Sequence, residues 1–175
     1  MRIKSPVRVI CREPTSCNDN EIADFKALVL AGGEVTPGGL DQRIRAAVGL
    51  VFLSEGRLLR GIAALKSPLQ TYRKEVFAKS GVPLAEEEYP FELGWVFIIP
   101  SARGKKLSLK LVQAAVTVAG GCAVFATSRT DNLPMHATLV KCGFLPAGDS
   151  YRSTRGSYEL QLFVRNATPK VTRRG

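Results

Sequence analysis

The chain has 175 residues, a length typical of one domain, and 45% of them are hydrophobic, which excludes a wholly disordered protein. Its longest apolar runs are too short to span a bilayer, and no apolar stretch of signal-peptide length opens the chain, so we expect a cytoplasmic protein. The formal net charge of +10 favours polyanionic ligands, either nucleic acid or a phosphorylated cofactor, although a solubilising surface has the same composition.

The first half of the chain predicts a strand, two helices and a hairpin, followed by a third helix. Asp19 or Asn20 is expected to cap the first helix, and Gly32 follows its end. The strands are predicted over 7–11, 48–53 and 58–65, and the helices over 21–30, 40–46 and 71–79.

The second half alternates strands and helices before a final pair of strands. The run 91–99 is aromatic and β-branched, and Pro100 stops it. Helices are predicted over 107–119 and 134–141, and strands over 122–127, 147–152 and 158–164. The element order predicts an α/β fold with a mixed sheet and two helix crossovers in its second half.

A basic loop links the strand 91–99 to the helix that begins at Leu107. Arg103, Lys105 and Lys106 place three cations at the helix start, and Gly104 allows close approach of the backbone. Since a helix N-terminus presents unpaired N–H groups and partial positive charge, this loop suits a phosphate. It contains neither a Walker A loop nor a dinucleotide fingerprint.

Two motifs at a characteristic spacing extend this loop into a family pattern. The chain reads Ile98-Ile99-Pro100-Ser101-Ala102-Arg103-Gly104-Lys105-Lys106-Leu107-Ser108, then Asn132-Leu133-Pro134-Met135, then Lys141-Cys142-Gly143-Phe144. Over residues 91–165 this resembles the GNAT superfamily of N-acetyltransferases. In that family a strand ends in Val-x-Pro, Arg/Gln-x-x-Gly-x-Gly/Ala opens a long helix, and Asn-x-x-Ala and Lys-x-Gly-Phe follow.

The resemblance implies a GNAT-like domain over 1–167 and a basic tail over 168–175. Its central sheet would be mostly antiparallel, splayed at the cofactor site and flanked by helices. Acetyl-CoA would be the cofactor, with its pantetheine arm along the backbone of Val96, Phe97 and Ile98. Asn132 would face the pantetheine, or cap the following helix, or both. The pyrophosphate would lie at Arg103, Gly104, Lys105, Lys106, Leu107 and Ser108.

Three residues depart from the family pattern. Lys106 stands where the family has Gly, and Ser108 where it has Gly or Ala. Leu139 occupies the position where many members carry a Tyr that protonates the leaving thiolate. The usual acid is therefore absent.

Catalytic candidates follow from these positions. Glu92, early on the strand that leads to the loop, is our candidate base, or else a strand-edge carboxylate paired with a surface cation. His136, one helical turn before Leu139, is expected to face the same way and to replace the missing acid, unless it is merely packed. Ser128 and Tyr151 are further candidates, and a lone histidine with no Cys-x-x-Cys pair predicts no metal site.

The activity implied is direct acetyl transfer from acetyl-CoA to a primary amine of a small molecule or a protein. In a second reading, the amine belongs to a nucleic acid, either an aminoacyl-tRNA or a DNA base. In a third, the chain is a non-catalytic module that binds acyl-CoA or nucleic acid. The sequence predicts no membrane partner, and the last two strands could supply a homodimer edge.

Overall fold

The computed structural model describes residues 5–83 and 85–169, which form one mixed sheet with helices on both faces. The strands are β1 (Val7–Arg12), β2 (Gly49–Glu55), β3 (Leu58–Lys66), β4 (Phe91–Ile98), β5 (Val124–Arg129), β6 (Leu145–Arg152) and β7 (Glu159–Arg165). The helices are α1 (Asp19–Ala31), α2 (Leu40–Arg45), α3 (Gln70–Lys79), α4 (Leu107–Val118) and α5 (Leu133–Lys141). The predicted α/β class is confirmed, and the expected basic tail lies mostly outside the described residues.

The sheet order is β1-β2-β3-β4-β5-β7-β6. All neighbouring strands are antiparallel except β4 and β5, which run parallel because α4 carries the chain back between them. The second predicted crossover passes through α5 to β6, an outer strand of the sheet. A homodimer contact through this edge stays a prediction.

Alternation along the strands divides the side chains between two faces. On one face, α4 and α5 cover a core that contains Leu111, Ala126 and Leu139. On the other, α1 and α2 cover a core around Phe25, and α3 packs over Phe125. We call these the α4 face and the α1 face. No helix among the described residues has the length and apolarity needed to cross a membrane.

The start of α1 corrects one prediction. Asn18, rather than Asp19 or Asn20, caps the helix: its side chain accepts the Glu21 backbone N–H at 2.9 Å. The Glu21 carboxylate in turn accepts the Asn18 backbone N–H at 2.9 Å, which completes a capping box. The box requires an acid three residues after the cap, and Glu21 stands at that distance from Asn18 alone.

Candidate active-site cleft

The parallel strands β4 and β5 pair for only two residues before they separate. Phe91 lies opposite Val124 and Glu92 opposite Phe125, and β4 pairs with β5 at no later described residue. Beyond this point a cavity of about 790 Å³ opens between the two strands. The cavity reaches from the loop before α4 to α3 and the β6–β7 loop.

A bulge in β4 accompanies the separation. The β3–β4 register shifts between Ile62 and Ala64, and Trp95 adopts a left-handed φ of 53°. A bulky residue at positive φ is strained and persists only where its surroundings hold it. Here Lys66 Nζ lies 5.1 Å from the Trp95 ring centre and the Phe25 ring meets it edge-on, so the bulge is fixed on the α1 face.

The loop before α4 turns sharply through two left-handed residues. Gly104 has φ 80°, and Lys106, the N-cap of α4, has φ 57° and ψ 26°. Arg103 folds back so that its Nε donates to the Ile98 carbonyl at 3.1 Å. Of the residues predicted to bind cofactor, only the exposed Lys105 lies off the cavity wall; the wall contains Val96, Phe97, Ile98, Arg103, Gly104, Lys106, Leu107, Ser108 and Asn132.

One polar contact joins α4 to α5, and a second caps α5. The Ser108 and Thr138 hydroxyls lie 3.3 Å apart, so the departure from Gly or Ala supplies a hydrogen bond between the helices. Asn132 caps α5, since its side-chain oxygen accepts the Met135 N–H at 3.3 Å. Its contact with pantetheine stays a prediction.

Glu92 is buried on the α1 face, 4% exposed, and pairs with two side chains. Lys66 Nζ lies 2.8 Å from one carboxylate oxygen, and the Tyr72 hydroxyl donates to the other at 3.1 Å. Tyr72 lines the cavity whereas Glu92 lies behind it. Burial, and then the Glu92 charge, raise the pKa of Tyr72, so its phenol stays protonated.

No protein-family model and no curated protein sequence matches the chain, but its architecture matches solved structures. Escherichia coli ElaA matches with a TM-score of 0.67 at 12% identity, over 92% of this chain and 100% of that one. A Pseudomonas aeruginosa acyl-CoA N-acyltransferase gives 0.67 at 14% identity, over 91% and 99%. Arabidopsis thaliana NAA60 in complex with acetyl-CoA gives 0.66 at 11%, over 91% and 99%. The chain has the GNAT fold.

Within the GNAT fold, α5 presents Met135 and Leu139 to the cavity but not His136. The His136 ring packs 4.8 Å from the Phe163 ring, and its Nε2 lies 2.9 Å from the Arg129 carbonyl oxygen. The expectation that His136 faces the same way as Leu139 is wrong. A step of three residues rotates a helix by about 300°, and the cavity lies on the Met135 side.

Tyr151 and Ser128 also line the cavity of this GNAT fold, on different faces of the sheet. Burial, and then the negative charge of Glu92, raise the pKa of Tyr151 to about 12. Ser128 is 7% exposed and follows Ala126 by two residues, which places it on the α4 face with Leu139.

Two loops meet across the α1-face side of the cavity. Arg129 pairs with the Glu34 carboxylate at 2.9 Å and stacks over the Tyr158 ring at 4.0 Å. Arg155, on the β6–β7 loop, donates to the Glu34 carbonyl at 3.1 Å. These contacts were not predicted from the sequence, because the residues belong to no motif and meet only in the folded chain.

The described residues also bear on the metal prediction. Among residues 5–83 and 85–169, no three His, Cys, Asp or Glu side chains come together in a way that could hold a metal ion.

Proposed function

We propose that the chain is an acetyl-CoA-dependent N-acetyltransferase that acetylates a primary amine by direct attack. The observation that supports this best is the separation of β4 from β5, which opens one cavity from the basic loop to the Glu92–Tyr72 pair. In such a reaction, much of the rate enhancement comes from holding the amine and the thioester together.

The residues present suit acetyl-CoA. The first turn of α4 contains no acidic residue, and Arg103 and Lys106 form no ion pair with any described residue. Unpaired N–H groups and free cations at one helix start favour a pyrophosphate. The edge of β4 from Val96 to Ile98, left unpaired by β5, is free to hydrogen-bond the pantetheine amides. NAA60, with the same fold, was solved with acetyl-CoA.

The Glu92–Tyr72 pair supplies the base. Bound acetyl-CoA supplies the acyl thioester, and the amine nitrogen attacks its carbonyl carbon. Tyr72 lines the cavity and its hydroxyl donates to Glu92, so its oxygen would accept a proton from the amine as its own hydroxyl proton moves to Glu92. Lys66 orients the Glu92 carboxylate toward Tyr72 through its 2.8 Å ion pair.

The backbone and Ser128 act on the other two reacting atoms. A β4 N–H beyond the bulge, left unpaired by β5, would polarise the thioester carbonyl of a bound acetyl-CoA. Leu139 is 1% exposed and apolar, so it donates no proton to the leaving sulfur. A thiol has a pKa near 8.5, so its thiolate leaves without a strong acid, and a hydrogen bond from Ser128 on the same face would stabilise it. His136 has no role in this scheme, because it lies off the cavity wall.

Calorimetric titration with acetyl-CoA tests the cofactor site. We expect micromolar binding by the parent and binding at least about 10-fold weaker by Arg103→Glu, since a phosphate contact becomes a repulsion. Lys110→Glu makes the same charge change on an exposed α4 residue off the cavity wall, and should bind almost as tightly as the parent.

The same variants separate the possible outcomes. Equal weakening by both variants would mean that general charge, rather than this loop, governs binding. Absence of acetyl-CoA binding by a folded parent would overturn the proposed function. Release of free thiol in the presence of amines, lost in Tyr72→Phe while acetyl-CoA affinity is retained, would support the proton path.

A further inference from the structure

Among the described basic residues on the cavity wall, Arg155 is paired with no carboxylate and is not assigned to the cofactor pyrophosphate. Five basic residues line the cavity. Lys79 pairs with Glu75, and Arg129 pairs with Glu34. Arg103 and Lys106 belong to the loop assigned to the pyrophosphate. Arg155 forms no ion pair with any residue in the described ranges.

Two hydrogen bonds fix the position of Arg155 on the wall of the cavity. One guanidinium nitrogen donates to the Glu34 carbonyl at 3.1 Å, and the Arg155 backbone N–H donates to Ser153 Oγ at 3.1 Å. Among the described residues no other group accepts from this exposed guanidinium, so most of its N–H donors are open to solvent or to a ligand. Its charge also acts on Tyr72 and Tyr151, whose pKa values it lowers against the larger effect of burial.

We propose that Arg155 binds an anionic group of the acceptor, and that the acceptor is an α-amino acid or its phosphonate analogue. The inference rests on the proposed function and deepens it. A planar guanidinium with free donors matches the oxygens of a carboxylate or a phosphonate. Arg155 and Tyr72 both line the cavity and the Arg155 charge acts on the Tyr72 phenol, so one small molecule with an anion one carbon from its amine, such as an α-amino acid, would reach both.

Neighbouring side chains fit the remainder of such a molecule. Tyr72, Trp95, Tyr151 and Tyr158 also line the cavity and offer apolar ring surface to an aliphatic or aromatic side chain. In the reaction the acceptor nitrogen forms a bond to the acetyl carbon, the carbon–sulfur bond breaks, and the amine proton passes to Tyr72 and Glu92. The carboxylate takes no part in these bond changes, so Arg155 positions the acceptor and determines specificity.

Paired substrates test this assignment. Thiol release from acetyl-CoA is measured with a panel of the common α-amino acids, each beside its carboxamide and, where available, its phosphonate analogue. The amine of a carboxamide is less basic and more of it is unprotonated, so intrinsic reactivity favours the amide. We nevertheless expect kcat/KM for the best amino acid or phosphonate to exceed that of its amide by about 10- to 100-fold, the effect of one charge-assisted contact. Whichever has the higher kcat/KM, the amino acid or its phosphonate analogue, identifies the anionic group that Arg155 binds.

Three variants assign the preference to Arg155. Arg155→Ala should abolish the preference by raising KM for the acid and leaving the amide unchanged. Arg155→Gln retains a donor for the Glu34 carbonyl and loses the charge, so it should behave like Arg155→Ala. Arg152→Ala removes a nearby exposed arginine of β6 that is not on the cavity wall, and should match the parent.

Failure of this inference is distinguishable from failure of the proposed function. Acetyl-CoA binding with a preference for the amide, or a preference that survives Arg155→Ala, would overturn the amino-acid assignment alone. An acetyl-CoA affinity that falls in Arg155→Ala as much as acceptor affinity would also overturn it, because Arg155 would then contact the cofactor. If acetyl-CoA does not bind, calorimetry of the same acids still decides: Arg155-dependent binding supports the site, and no binding overturns it.

Discussion

Lys106→Gly should stabilise the protein, although it removes a side chain. Lys106 has φ 57° and ψ 26°, a conformation that costs a residue with a Cβ about 1–2 kcal/mol. The side chain is exposed, so its removal sacrifices little packing. Glycine also gives the unfolded chain more conformational freedom, which lowers the free energy of unfolding by about 0.4–1 kcal/mol and offsets part of the gain. The net expectation is a rise of about 0.5–1 kcal/mol in the free energy of unfolding, or about 2 °C in Tm.

Urea unfolding of two neighbouring glycine variants measures this effect. Lys105 is equally exposed but has no positive φ, so Lys105→Gly has only the entropic cost and should lose about 0.4–1 kcal/mol. The two variants remove the same charge, and they should shift the midpoint in opposite directions. Lys106→Asn should fall between Lys106→Gly and the parent, because Asn tolerates the left-handed region better than Lys.

A Lys106→Gly variant as destabilised as Lys105→Gly would refute this reasoning. It would mean that Lys106 leaves the left-handed conformation in solution. The account of why the GNAT pattern has glycine at this position would then fail for this chain.

The remaining predictions concern the cleft and the β6 bulge. Glu92→Gln should lower kcat by about 100-fold or more with unchanged acetyl-CoA affinity, measured by thiol release and calorimetry. Because the pKa of Tyr151 is raised from 10.0 to about 12, the folded state keeps that proton longer. The free energy of unfolding should therefore fall from pH 10 to 12, and less so in Tyr151→Phe, as urea titrations at each pH would show. Gly148→Ala should cost about 3 kcal/mol or more, since its Cβ would clash with the Ser80 carbonyl oxygen. Gly120→Ala, also at positive φ but facing open space, should cost about 1 kcal/mol.

The nucleic-acid reading is tested apart from catalysis. If the amine belonged to RNA or DNA, binding of either polymer would weaken steeply with salt, because phosphate contacts release counterions. Filter binding at rising salt concentrations measures the slope. Binding that is weak at low salt and has no slope would count against this reading.

Sequence patterns predicted the elements of the fold well because each has its own local signal. The strand 91–99 is aromatic and β-branched and ends before Pro100, and the structure has β4 at Phe91–Ile98. The strand predicted at 147–152 begins earlier, at Leu145, because the bulged β6 contains Pro146 and Gly148, which weaken the strand pattern.

The cleft was predictable only where a motif continues along the chain. The loop from Arg103 to Ser108 is contiguous, so its position before α4 follows from the sequence. The partners of Glu92 come from different elements: the β3–β4 register places Lys66 opposite it, and Tyr72 reaches it from α3. Arg155 is further removed, since its contact with Glu34 joins residues 121 positions apart. No local periodicity encodes such a meeting.

The two-residue pairing of β4 with β5 has a mechanical consequence. The sheet consists of two half-sheets, β1–β4 and β5–β7–β6, with few backbone hydrogen bonds between them. α4 packs on the half-sheet β1–β4 and against α5. The distance between β4 and β5 is therefore set by side-chain packing and not by backbone hydrogen bonds. The Ser108–Thr138 contact therefore sets the distance between α4 and α5, and larger or smaller residues at these positions would widen or narrow the cavity. The width of the cavity would thus depend on two side chains that can change without altering the strand pairing of either half-sheet.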